Sequence, residues 1–197
     1  LNPQLGIKIA SFILSLPSVM NIALLYAIIR RAGGNDGEAL LGSALMSASC
    51  SMFYYSRHLV PYDCSIMLSL LALWIGVSSE KKTLNSFVCG FLACLALLTY
   101  NGYWILSMVV CGIHILWKKN KTTDKLKAIF FTGIGGLTPI LILQFTSLAL
   151  GQNYLIDLFA WSEATSGNQQ GDFNIGWRVF FQYLWETEHC LLLIWIT

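Results

Sequence analysis

Apolar residues occur along this chain in long blocks, separated by short polar segments, with neither the alternation of a half-buried strand nor the single stripe of a soluble helix. Several blocks approach the roughly 20 residues that a membrane-spanning helix needs. The predicted spans are about Gly6–Ile29, Glu38–Tyr54, Cys64–Val77, Thr83–Leu98, Trp104–Trp117 and Ala128–Leu150, with a further one beginning near His189. The pattern therefore predicts an all-α fold, a polytopic transmembrane helical bundle with about seven spans.

The fourth and fifth spans are separated by a polar and aromatic break at Thr99–Tyr103. Read without the break, Thr83–Trp117 would be roughly 35 residues, too long for one span at about 1.5 Å per residue. We therefore predict two helices in a hairpin.

The domain organisation follows from the same blocks. Residues 1–150 form a transmembrane region with about six spans, 151–188 an outward-facing loop, and 189–197 the start of a further span. Within the loop, Ser162–Gly171 is rich in Gly, Ser, Asn and Gln and is predicted to be irregular. Trp177, Phe180, Phe181 and Leu184 then recur at helical spacing, which predicts an amphipathic helix in the membrane interface. We expect the chain to be a fragment of a longer protein.

Composition agrees with a membrane protein. Hydrophobic residues make up 56% and charged residues 11%, with a mean hydropathy of +0.63, whereas about a quarter of the residues of a soluble domain are charged. The six cysteines lack metal-ligand spacing, and we interpret them as small buried apolar residues.

The cations are distributed unevenly between the two sets of connecting segments. One set holds nine of the 12 Lys and Arg residues: Arg30, Arg31, Lys81, Lys82, Lys118, Lys119, Lys121, Lys125 and Lys127. Positive residues favour the cytoplasmic side, so we predict that Tyr54–Asp63, Thr99–Tyr103 and residues 151–188 face outward. The sequon Asn120-Lys121-Thr122 then falls in a cytoplasmic segment, where it could not be glycosylated.

Tyr54–Asp63 is the most chemically varied of the outward segments, and ionisable groups beside membrane helices are functional by default. Arg57 could bind a lipid phosphate through its planar fork, with Lys8 and His58 beside it. Asp63 could orient Arg57 or bind sugar hydroxyls, together with Tyr62. The structural alternative is an interfacial ion pair between Arg57 and Asp63.

A second outward cluster contains Glu186, Glu188 and His189, which could contact an acceptor or simply be a solvated edge before a span. No two of these residues and His58 or Asp63 have the i, i+4 spacing of a helical metal site. We therefore predict no metal and no cofactor. The outward aromatic residues are typical of an interfacial belt.

Some of these landmarks together resemble a known family. They are Lys8 at the opening of a span, Arg30-Arg31 followed by glycines, the run Tyr-Tyr-Ser-Arg-His-Leu-Val-Pro-Tyr-Asp at 54–63, and the hairpin from Gly90 to Tyr100 before a Lys-rich segment. The pattern is similar to membrane glycosyltransferases of the GT-C class, in particular the family 39-like group of protein O-mannosyltransferases and aminoarabinose transferases. It covers about Gly6–Asn120, and more loosely residues 171–189.

The resemblance implies transfer of a sugar from a polyprenyl-phosphate donor to a protein or lipid acceptor on the outer or lumenal face, in a multi-pass protein that we place in a bacterial plasma membrane with a periplasmic or extracellular active face. It also implies that the catalytic carboxylate lies in an outward loop upstream of these residues, so the catalytic residue is unknown here. No nucleic-acid partner is expected. The alternatives are a membrane transporter, which should carry ionisable residues in mid-span, or a non-catalytic membrane subunit.

Overall fold

A computed structural model describes residues 3–49, 61–78, 83–100, 104–117, 121–167 and 185–186. These residues form seven α-helices and contain no β-strand, which confirms the all-α prediction. In chain order they are α1 (Pro3–Ala32), α2 (Asp36–Ala48), α3 (Tyr62–Gly76), α4 (Thr83–Thr99), α5 (Trp104–Trp117), α6 (Thr122–Ala149) and α7 (Tyr154–Gly167).

Helix length separates α6 from its shorter neighbours. Within the described residues, α6 is the one helix that is both long and apolar enough to cross a membrane, with 28 residues. Helices α3, α4 and α5 are apolar but have 15, 17 and 14 residues, fewer than the roughly 20 that span the hydrocarbon core. The predicted count of about seven spans therefore stays a prediction.

The predicted hairpin is confirmed, because α4 ends at Thr99 and α5 begins at Trp104. One predicted helix end and one predicted loop are wrong, and α6 begins at Thr122 and not at Ala128. The second helix ends at Ala48 and not at Tyr54, because Ser49 is extended and its N–H bonds back to the Met46 carbonyl. Helix α7 continues to Gly167, through part of the predicted Ser162–Gly171 loop. A helix already started upstream can continue through polar residues that would not start one.

Local chemistry explains the sharp turn between α1 and α2. Gly33 has a φ of 104°, a left-handed conformation that glycine adopts without steric cost. Asn35 then caps α2: its side chain accepts from the Glu38 N–H at 2.9 Å, and the Glu38 carboxylate accepts from the Asn35 N–H at 3.0 Å. This capping box satisfies donors that a helix start leaves open.

Contacts between helices give their directions within the first compact unit, Leu1–Pro139. Helices α1 and α3 are parallel, because Ser18 contacts Asp63 and, further along both helices, Arg31 lies 4.3 Å from the ring centroid of Trp74. Helices α3 and α4 are antiparallel, because Tyr62 and Tyr100 make an edge-to-face ring contact at 4.4 Å while Gly76 and Ser86 share a partner at the opposite ends.

These contacts define two ends of the unit. The Asp63 end consists of the start of α3, at Tyr62 and Asp63, and Tyr100 after α4. The His114 end consists of Gly76, Ser86 and His114, with Arg31 of α1 near the end of α3. The apolar core between them contains Ala72, Cys89, Ala93 and Val110.

Two glycines bring α4 and α6 into backbone contact. A Cβ on Gly90 would collide with the Thr132 carbonyl oxygen, and a Cβ on Gly135 with the Phe87 carbonyl oxygen. Gly133 on the same helix α6 has nothing within 4 Å. Small residues that allow such close approach are typical of helix pairs in membranes.

The second compact unit, Ile140–Thr197, contains the end of α6 and α7. Gln144 holds the turn between these helices, because its amide group donates to Asn153 Oδ1 at 3.1 Å and accepts from the Leu155 N–H at 2.9 Å. Ile156 and Phe159 of α7 are exposed. The separate interfacial helix predicted around Trp177 lies outside the described residues, apart from Trp185 and Glu186, which are helical.

Candidate functional site

The predicted site residues fall into two groups. Arg57, His58, Glu188 and His189 lie outside the described residues, so their roles stay predictions. Lys8 lies in α1, Tyr62 and Asp63 are the first two residues of α3, and Glu186 is helical and exposed.

Asp63 is the most informative of these residues. It lies in the first turn of α3 and is buried, with 3% of its surface exposed. Its Oδ2 accepts a hydrogen bond from the Ser18 hydroxyl of α1. Its Oδ1 is buried and has no hydrogen-bond donor among the described residues.

Asn21 of α1 completes this polar centre. Its Nδ2 donates to the backbone carbonyl of Asp63 at 3.1 Å, and the side chain is fully buried. Its Oδ1, like Oδ1 of Asp63, has no donor within the described part of the chain. We call Ser18, Asn21 and Asp63 the Asp63 centre. It combines one satisfied and two unsatisfied buried oxygen acceptors.

The surroundings of the Asp63 centre are aromatic and polar. Tyr62 contacts Tyr100, and the Ser65 hydroxyl donates to the Ala96 carbonyl at 2.7 Å. These contacts fix the start of α3 against the end of α4. Asp63 takes no part in the ion pair found among the described residues, which joins the exposed side chains of Arg30 and Asp36 at 3.0 Å.

A second buried polar centre lies at the opposite end. His114 is fully buried, with Nδ1 2.9 Å from the Gly76 carbonyl oxygen and Nε2 3.0 Å from the Ser86 hydroxyl. Both ring nitrogens therefore have partners, as is typical of a buried histidine with a structural role. We call Gly76, Ser86 and His114 the His114 centre.

Sequence reasoning missed the grouping of Ser18 and Asn21 with Asp63. Asn21 was visible as a polar residue within an apolar run, and such a residue in a membrane helix must find a partner. Its spacing from Asp63 along the chain gives no indication of which partner, because the contact joins α1 to α3.

Chemically, the Asp63 centre can accept hydrogen bonds or bind a cation. Among the described residues, no group of three or more His, Cys, Asp or Glu side chains could hold a metal ion. Comparisons of the chain with protein-family models, with curated proteins and with solved structures give no match.

Proposed function

We propose that the chain is part of an integral membrane glycosyltransferase that moves a sugar from a polyprenyl-phosphate donor to an acceptor. The observation that carries the proposal is the position of Asp63, which follows Arg57 and His58 by a few residues and lies at the start of a bundle helix. A donor headgroup at the Asp63 end could thus meet the cation and the imidazole of one short segment, which the buried Asp63 connects to α1 through Ser18.

The distribution of charge supports a membrane setting for this bundle. Helices α1, α3 and α5 end toward the His114 end. Arg30 and Arg31 lie in the last turn of α1, and Lys81-Lys82 and Lys118-Lys119 follow α3 and α5 in the sequence. The Asp63 end carries aromatic rings, and on this side of the unit the described part of the chain has a single Lys or Arg, Lys8 of α1. This asymmetry agrees with a cytoplasmic His114 end and an outward Asp63 end.

Exposed apolar surface supports the same setting. Val19, Met108 and Phe145, on three different helices, are each more than 60% exposed. Such surface is unfavourable in water and is ordinary where lipid is the solvent.

The reaction needs two kinds of group: a base for the acceptor proton and a cation that binds the departing phosphate. The acceptor oxygen attacks the anomeric carbon, the bond from that carbon to the phosphate oxygen breaks, and the lipid phosphate leaves with the electron pair. A base takes the acceptor proton, and the resemblance places that carboxylate upstream. Arg57 would stabilise the charge that develops on the phosphate, with Lys8 and His58 nearby.

Replacement of Arg57 tests this assignment. We expect Arg57→Ala in the full-length protein to lower sugar transfer from polyprenyl-phosphate donors about 100-fold or more, since loss of one group that stabilises transition-state charge has about this effect. Arg57→Lys should recover part of the activity, because it keeps the charge and loses the planar fork. Lys125→Ala, which removes a cation from the opposite end, is the matched control. Near-normal transfer by Arg57→Ala would remove Arg57 from the donor site.

A transporter is the second candidate function, and the depth of the Asp63 centre favours it. Asn21 and Ser18 precede Arg30 by about 9 and 12 residues, or roughly 14–18 Å along a helix. If Arg30 marks one membrane surface, the centre lies near the middle of a hydrocarbon core of about 30 Å. Uptake of labelled solutes into proteoliposomes without any sugar transfer would favour this function.

A further inference from the structure

We infer that the Asp63 centre is a binding site for one monovalent cation, a proton or an alkali metal ion, held by the oxygens of Asp63 and Asn21. The inference does not depend on sugar transfer, because it rests on contacts inside the helix bundle and concerns the resting protein.

The first argument is that two acceptors at one place lack donors. Oδ1 of Asp63 and Oδ1 of Asn21 are both buried without a hydrogen-bond partner among the described residues. The two side chains belong to residues already joined by the bond from Asn21 Nδ2 to the Asp63 carbonyl. A buried acceptor without a donor costs about 1–3 kcal/mol, so a cation between these oxygens would relieve both.

The second argument is charge. Unpartnered buried hydroxyls also occur at Ser69, Ser107 and Thr132, but these groups are neutral. A buried carboxylate is far more costly unless it is paired or neutralised. None of the described Lys, Arg or His residues forms an ion pair with Asp63; the ion pair that they do form joins Arg30 and Asp36.

The neighbouring elements offer Asp63 no fixed positive charge within the described residues. From α1, Ser18 and Asn21 donate hydrogen bonds to Asp63, and neither side chain carries a charge. The titratable groups nearby are Cys64, which is next in sequence, and Tyr100 of α4 through its contact with Tyr62. These groups are neutral or acidic, so no side chain in the described part of the chain compensates the charge of Asp63, and we expect the compensating charge to be bound from solution.

The ligand chemistry limits the cation to a single charge. One carboxylate and one amide oxygen supply one negative charge and hard oxygen ligands. A divalent ion at this single carboxylate would leave an uncompensated positive charge in a buried site, which is costly. A proton or an alkali metal ion neutralises Asp63 with the groups at hand.

The test measures thermal unfolding of the purified full chain in detergent, at fixed ionic strength, across pH and with sodium, potassium or N-methylglucamine as the cation. Wild type is compared with Asp63→Asn, which keeps the shape and removes the charge. Asp36→Asn, which alters an exposed carboxylate, is the matched control. Infrared difference spectra across the same pH range report whether a protonated carboxyl is present.

If the bound cation is an alkali metal ion, we expect a saturable, cation-specific rise in the unfolding temperature. Asp63→Asn should abolish this rise, and Asp36→Asn should retain it. A proton predicts no cation specificity and a protonated carboxyl band that is missing in Asp63→Asn. In either case Asn21→Ala should weaken the affinity for the bound cation by about tenfold or more, as loss of a supporting group does at metal sites. This variant also serves if Asp63→Asn fails to fold.

The inference is overturned if wild type and Asp63→Asn respond identically to pH and to cation, with no band assigned to Asp63. It is also overturned if Asn21→Ala binds the cation as wild type does. Near-normal sugar transfer in Arg57→Ala with an intact cation response would remove Arg57 from the donor site and leave the cation site standing, so the two proposals can fail separately.

Discussion

The two buried polar centres of the bundle differ in how fully their atoms are paired. At the His114 centre both ring nitrogens have a partner within 3.0 Å. At the Asp63 centre one carboxylate oxygen receives the Ser18 hydroxyl, while the other, and the Asn21 amide oxygen, have no donor among the described residues. Asp63, Asn21 and His114 are all almost completely buried, so burial alone does not distinguish the two centres.

This difference in hydrogen-bond pairing indicates a different role for each centre. A buried group whose hydrogen bonds are all made stabilises one packing arrangement and needs no further ligand. A buried carboxylate with an open oxygen lowers stability unless something binds to it. The His114 centre is thus structural, and the Asp63 centre is the place where we expect a ligand.

The largest effect should come from breaking the His114 centre. We expect His114→Leu to lower the free energy of unfolding by about 2–4 kcal/mol, because the Gly76 carbonyl and the Ser86 hydroxyl both lose this partner in a buried site. Reversible unfolding in mixed detergent micelles measures the change. Ser107→Ala on the same helix is the control, since its buried hydroxyl has no partner to lose among the described residues. A smaller loss for His114→Leu than for Ser107→Ala would remove the structural role.

A somewhat smaller loss of stability should follow from a substitution that separates α6 from α4 at Phe87, which is next in sequence to Ser86 of the His114 centre. In Gly135→Ala the new methyl group meets the Phe87 carbonyl oxygen, and we expect a loss of about 1–3 kcal/mol from overpacking. Gly133→Ala introduces the same methyl group into open space and should be neutral or slightly stabilising, because alanine favours a helix. Equal effects of the two substitutions would contradict the close crossing.

The smallest effect should come from an exposed polar contact. We expect Asn35→Ala to cost about 1 kcal/mol, the usual value of a helix cap, measured in the same micelles. Asn35→Asp, which can still accept the Glu38 N–H, should retain most of the stability. A loss as large as that of His114→Leu would show that pairing of buried atoms is not what separates strong from weak contacts here.

Much of the fold could be predicted from the sequence because apolar run length and polar breaks determine where helices form. The break at Thr99–Tyr103 predicted the α4–α5 hairpin, and the run from Cys64 to Val77 predicted α3 to within two residues. The end of α2 at Ala48 was not predictable from hydropathy, since single serines are all that interrupts the apolar residues between Ala48 and Tyr54.

The candidate site was predictable only in part. The sequence marked Asp63 as chemically important because a carboxylate beside an apolar run is rare. It paired Asp63 with Arg57, whereas the described partners are Ser18 and Asn21 from α1. A contact between helices about 40 residues apart depends on how the helices pack, which periodicity along one helix does not encode.

Glycosylation mapping tests the central claim, that the chain is a membrane bundle with its basic segments on one side and the predicted sugar-transfer face on the other. The chain is expressed in eukaryotic microsomes as wild type and as Gln170→Thr, which creates an acceptor sequon at Asn168. We predict one added glycan in Gln170→Thr and none in wild type. A glycan on Asn120 of the wild-type chain, with none added by Gln170→Thr, would reverse the orientation and contradict the account.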